Sequence, residues 1–179
     1  MQFDVRETTP HPRSVVFATH RDRLPDIVKY LDEVESVELR SRSLHAGGRE
    51  EQVHLWVGTP AALPALIRPF VAPQLLTWKQ KTVWDPFTWS ATWEIDVLAL
   101  GPAIEARGTN RYLEDGSGCT IEITGEFAFR PDKVPQLAQV PATAVPMVEK
   151  AVVALIVPLV KRTGTAVARF LDEERARQG

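Results

Sequence analysis

Few side chains in this sequence are spaced to do chemistry together. The four histidines are His11, His20, His45 and His54, and none is set against another histidine or a carboxylate at the intervals a metal site needs. No metal and no other cofactor is expected. His11 lies between two prolines and His20 at the end of a short helical segment, so both read as solvated. Cys119 is the single cysteine, which excludes an internal disulfide and a multi-cysteine metal site; following a glycine turn, it reads as a small buried side chain. No Gly-x-Ser-x-Gly elbow presents a serine nucleophile. Gly47-Gly48 and Gly116-x-Gly118 stand between alternating segments rather than ahead of a helix, so they read as turns and not as phosphate cradles.

Strand parity sharpens this picture, because alternate side chains of a strand point to opposite faces. With the more apolar face of each strand turned inward, the polar residues riding inside are Ser41, Ser43, His45, Gln80, Thr82, Asn110 and Tyr112. Glu94, Asp96, Glu105, Glu122 and Glu126 all fall outside, as do His54 and Trp56, and no carboxylate is expected on the inner face. His45 is the one inward candidate for a general base. Lys79, Lys81, Arg40, Arg42, Arg107 and Arg111 share the outer faces with acidic residues and read as a solvated, charge-paired surface. Of the five tryptophans, four lie between Trp78 and Trp93, where they serve as core filling or as an aromatic wall. Apolar groups inside with a few neutral hydrogen-bonding groups describe a receptor for an apolar molecule rather than a pair of acids acting on a substrate. The net charge of −2 gives no basic excess for nucleic acid.

The elements that must position these residues follow in order. Met1–Thr8 alternates as a strand and stops at Pro10 and Pro12. Ser14–Thr19 and Leu24–Leu31 read as short helices, the second capped by Asp22 with Pro25 in its first turn. From Val34 the period switches to two. Val37 and Leu39, then Val53, Leu55 and Val57, face inward on the two arms of a hairpin about Gly47-Gly48. Pro60–Pro73 is too proline-rich for a central strand and reads as a lid or a packed excursion. Four more alternating runs follow, to Phe129. From about Thr143 to Ala176 apolar residues recur at three- and four-residue intervals in one long helix, with a bend expected at Pro158 and weakening at Gly164. Its apolar middle, Ala151 to Val160, falls well short of the roughly 20 residues a membrane span needs, and the N-terminus lacks the pattern of a signal peptide. A cytoplasmic chain of one domain, residues 1–179, is expected.

This order resembles the START-like superfamily, also called helix-grip or SRPBCC, which includes birch-pollen-type allergens, lipid transfer domains and polyketide cyclases. The features that carry the resemblance are the strand Met1–Thr8, the helix pair ending near Leu31, the meander from Val34 to Arg130 and the final helix. The resemblance implies an α+β fold, a curved antiparallel sheet of about seven strands (β-α-α-β6-α) wrapped around the C-terminal helix, with a cavity between them. It carries no catalytic residue over. The residues expected to line the cavity are Trp78, Gln80, Trp93, Asn110, Tyr112, Phe127, Val152, Ile156 and Leu159. The leading expectation is binding or transport of a lipid or other apolar small molecule, such as a polycyclic compound. The alternatives are a cyclase or aromatase using the same cavity, with Tyr112, Asn110, Gln80 and His45 as helpers, and a ligand-free interaction module. The last rests on Val153 and Val157, opposite the main stripe of the long helix, which leave room for a dimer or a transient membrane-surface contact. Oligomeric state stays open.

Overall fold

A computed structural model describes residues 1–60, 76–135 and 139–178, apart from the side chains at 148, 151–156, 158–159 and 178. Most of the Pro60–Pro73 segment, expected as a lid or packed excursion, lies outside the described residues. Strand β1 (Gln2–Thr9) leads through α1 (Arg13–Asp22), α2 (Leu24–Ile27) and one 3-10 turn into the meander. Its strands are β2 (Val34–Leu44), β3 (Glu50–Gly58), β4 (Thr77–Asp85), β5 (Ser90–Val97), β6 (Ile104–Asp115) and β7 (Gly118–Phe129), and α3 (Val145–Gln178) closes the chain. The seven strands form one antiparallel sheet in the order β1-β7-β6-β5-β4-β3-β2. Apart from β3 and β4, short connections join the consecutive strands of the meander and keep them adjacent. The α1–α2 pair carries the chain from the β1 edge across to the β2 edge. This is the helix-grip architecture.

Two glycines shape the middle of the sheet. Gly108 of β6 pairs with Gly125 of β7; outward from that pair, Gly125 faces Phe3 on β1 and Gly108 faces Trp93 on β5. A Cβ on Gly108 would collide with the Trp93 ring and one on Gly125 with the Phe3 ring. Glycine at both positions lets the two rings lie over the backbone, where they stack with centroids 6.4 Å apart.

The core lies between the sheet and the helices. Val5, Val16, Phe17, Ile27, Leu31, Ile121 and Ile123 meet Ala166, Val167 and Phe170 from the C-terminal half of α3. A second cluster, Ala103, Ile104, Ala106, Phe127 and Phe129, takes Val145 and Val157 of α3 against it. Val157 therefore faces the sheet, and the stripe expected to be free for a dimer or membrane contact does not include it. The helix runs unbroken from Val145 to Gln178, through both Pro158 and Gly164. At α2 the N-cap is Arg23 and not Asp22; the Asp22 carboxylate is taken up by Arg21 and Arg42 instead.

Candidate functional site

Strands β1, β3, β4 and β6 contribute the polar part of the inner face, and β3 does so against expectation. Its buried residues are Glu50, Gln52, His54 and Trp56, while Val53, Leu55 and Val57 are half-exposed on the back. The pairing with β4 explains the inversion. Residues directly opposite in an antiparallel pair share a face, and Glu50, Gln52, His54 and Trp56 stand opposite Trp84, Thr82, Gln80 and Trp78. Once the aromatic face of β4 turns inward, the polar set of β3 must follow. The parity of β2 is lost as well, because register shifts after Val34 and after Leu39 let the edge strand slip. Leu39, Ser41, Ser43 and His45 are all exposed, so His45 is no general base for the interior.

The inner face also holds two carboxylates that were not expected there. Glu50 is 3% exposed and is gripped by Arg42, whose Nε and Nη2 lie 2.6 and 2.8 Å from its two oxygens. This forked pairing neutralises it. Gln52 donates its amide N–H to the same carboxylate. Glu7 has the parity of Phe3 and Val5 on β1 and meets α3 at Gly164, where any side chain would collide with it. Burial pushes the Glu7 carboxyl up to about 7; backbone amides at Thr165 and Gly164 and the Lys161 ammonium oppose only part of that rise.

Two of the buried histidines, His20 and His54, are neutral. His20 of α1 is not solvated: burial, and then the nearby His54, lower it to about 4, and burial alone does the same for His54. His20 Nδ1 lies 2.6 Å from the Tyr112 hydroxyl. Burial raises the Tyr112 phenol far above its ordinary range, so the phenol keeps its proton while it shares this hydrogen bond with the neutral imidazole, the tautomer setting which of the two donates. Phe17, Trp84 and His20 surround the Tyr112 ring. His11, also expected in solvent, is buried with Nε2 3.1 Å from Asp172 of α3. Cys119 is fully buried, and burial lifts its thiol to about 11.

Of the residues expected to line a cavity, Trp78 stacks on Trp56 with centroids 5.7 Å apart, and Gln80 donates to the Thr82 hydroxyl at 3.2 Å. Trp93 donates its indole N–H to Asn110 Oδ1 at 2.9 Å. Tyr112 lies within the main core and Phe127 within the second cluster, so the sheet brings these residues to one face without bringing all of them to one point. The side chains of Val152, Ile156 and Leu159 lie outside the described residues. The sequence reading missed Glu50, Gln52, His54, Trp56 and His20. One available signal was the polar–aromatic alternation Gln52-x-His54-x-Trp56, which matches that of Trp78-x-Gln80-x-Thr82-x-Trp84 on the neighbouring strand. Gln52 Oε1 and the indole nitrogens of Trp56 and Trp84 are buried without a hydrogen-bond partner among the described residues, and leaving such a group unmet costs about 1–3 kcal/mol.

The outer face carries a groove of about 790 Å³ open to solvent, lined by Asp4, Lys81, Thr92, Thr109 and Thr124 among others. Lys81 pairs with Glu94 and Arg107 with Glu126 along it, and Asp4 adds a further charge, so it is a solvated back rather than a site. Among the described residues no three His, Cys, Asp or Glu side chains gather as a metal site, and no helix is long and apolar enough to cross a membrane.

The profile of the family described as "Protein of unknown function (DUF2505)" matches residues 4–173. The chain belongs to the DUF2505 family. No curated protein matches it in sequence. Among solved structures, TTHA0849 from Thermus thermophilus is 19% identical with a TM-score of 0.61, covering 93% of this chain and 97% of that one. The Zhui aromatase/cyclase from Streptomyces sp. R1128 is 19% identical with a TM-score of 0.62, covering 95% of each chain. Norcoclaurine synthase from Thalictrum flavum, in complex with dopamine and hydroxybenzaldehyde, is 14% identical with a TM-score of 0.55, covering 97% of this chain and 87% of that one. These likenesses place this DUF2505 chain in the START-like fold.

Proposed function

We propose that the protein binds an apolar small molecule between the inner face of the sheet and α3. The supporting observation is the makeup of that face. Trp56, Trp78, Trp84 and Trp93 alternate with neutral hydrogen-bonding groups, the Glu50 charge is cancelled by Arg42, and burial raises Glu7 to about 7. Such a surface favours an apolar body oriented by a few polar contacts. Trp78, Gln80, Trp93, Asn110 and Phe127 from the sheet, with Val152, Ile156 and Leu159 from α3, are the lining proposed. A lipid or a polycyclic compound fits, and the likeness to a fold seen elsewhere with small aromatic molecules supports the reading. Native mass spectrometry of protein purified from its own host should reveal a co-purifying apolar mass, and naphthalene should bind with saturation. Absence of both would sink the proposal.

The His20–Tyr112 contact favours an enzymatic second reading, a cyclase-like reaction in which the pair helps move a proton. Asn110 and Gln80 would orient the substrate. If Tyr112→Phe turns over an identified substrate at the wild-type rate, the pair has no part in catalysis.

A further inference from the structure

The end of the inner face beneath α1 carries a donor and an acceptor that nothing among the described residues fills. Trp84 stands opposite Glu50, and Gln52 follows one register step along the same face, opposite Thr82. The two side chains are 3% and 1% exposed. Among the described residues, the Trp84 indole N–H and Gln52 Oε1 both lack a hydrogen-bond partner. The Gln52 amide is held in this orientation, because its N–H group donates to Glu50; turned over, its oxygen would face a carboxylate.

We propose that this patch is a subsite for a neutral hydroxyl, an alcohol or a phenol, at one end of the apolar ligand: the hydroxyl accepts from the Trp84 N–H and donates to Gln52 Oε1. The inference rests on the apolar-ligand reading above and adds the chemical class of the ligand's polar end. The selectivity follows from charge. A carboxylate would sit against Gln52 Oε1 and near Glu50. An ammonium would meet the Trp84 N–H and the Arg42 guanidinium already committed to Glu50. His20 and His54 supply no countercharge, since burial keeps both neutral. Either ion would be desolvated without a partner, whereas a hydroxyl satisfies both orphan atoms at once. Neither atom reaches solvent in this conformation, so filling them requires a shift in the packing over Trp84, where Phe17 of α1 lies edge-on with centroids 5.3 Å apart. The ligand's apolar body would replace the contacts given up.

The test is calorimetric titration of the full chain at pH 7 with 2-naphthol, naphthalene and 2-naphthoate. Naphthol should bind about tenfold tighter than naphthalene, the worth of a well-placed buried hydrogen bond, and tighter than naphthoate. Gln52→Leu and Trp84→Phe should each lower the naphthol-to-naphthalene ratio severalfold, because each removes one of the two bonds to the hydroxyl. Should Trp84→Phe fail to fold, Gln52→Leu and Gln52→Met carry the comparison. Equal binding of naphthol and naphthalene overturns the subsite and leaves apolar binding standing. A ratio unchanged in the variants, or naphthoate binding at least as tightly as naphthol, also overturns it; in the first case the orphan atoms hold a buried water only. Binding of none of the three overturns the subsite together with the reading it rests on.

Discussion

At the scale of single residues, the titrating groups of the interior pull stability in opposite directions. Glu7 releases its proton near 4.5 in the unfolded chain and near 7 in the folded one, chiefly because the folded carboxyl is desolvated. The folded state therefore holds the extra proton between those values, and the Glu7 contribution is lost as pH rises from about 4.5 through 7. His20 and His54 work the other way: lowered from 6.5 to about 4 by burial, they favour folding above 6.5 and cost stability as pH falls towards 4. Replacing Glu7 by Gln should raise urea-unfolding stability at pH 8 relative to wild type and change it little at pH 4. Parallel wild-type and variant curves across that range would show that Glu7 is not held protonated. Glu7 could have been placed inside from the sequence, since it continues the parity of Phe3 and Val5. His20 could not, because nothing near it in sequence reveals that Tyr112, 92 residues away, waits for its ring.

At the scale of elements, β3 shows where alternation misleads. Val53, Leu55 and Val57 are the more apolar set, yet the pairing with β4 buries Gln52, His54 and Trp56. Hydropathy ranks faces strand by strand, whereas a sheet fixes them jointly; a stacked Trp56–Trp78 pair and a neutralised Glu50 outweigh three aliphatic side chains left half-exposed. Strands with a single apolar face and tight turns, β5 to β7, were legible for the complementary reason, that their neighbours agree with them. The bulges of β2 sit at an edge and leave no such mark in the sequence. The contact of α3 with β1 also reverses a local expectation. Gly→Ala within a helix ordinarily gains up to about 1 kcal/mol. At Gly164 the new methyl would strike the Glu7 side chain, so Gly164→Ala should instead cost about 1–3 kcal/mol, as overpacking does. The double variant Glu7→Ala/Gly164→Ala should recover most of that loss. Additive effects in the double-mutant cycle would show that the two residues do not press on each other.

At the scale of the whole molecule, the two faces of the same sheet compete for any small ligand. Gly108 and Gly125 lie along both: their inner side carries the Phe3 and Trp93 rings, and their backbone lines the outer groove. Room alone would favour the outer groove. The outer groove is walled by Lys81, Glu94, Arg107 and Glu126, whose ion pairs keep water close, and an apolar molecule gains little by displacing hydrated charges. The inner face offers indole rings and neutral partners, where each Å² of apolar surface removed from water is worth about 25 cal/mol. Thr124 is exposed on the groove wall, so Thr124→Trp fills that space without touching the core. This variant should bind naphthalene within about twofold of wild type. At roughly a hundredfold excess over Kd the probe should stabilise both proteins equally, by about 2.7 kcal/mol at 25 °C, read as the displacement of the urea-unfolding curve. Loss of binding in Thr124→Trp would move the ligand to the outer face, and with it every role assigned here to the tryptophans of the inner one.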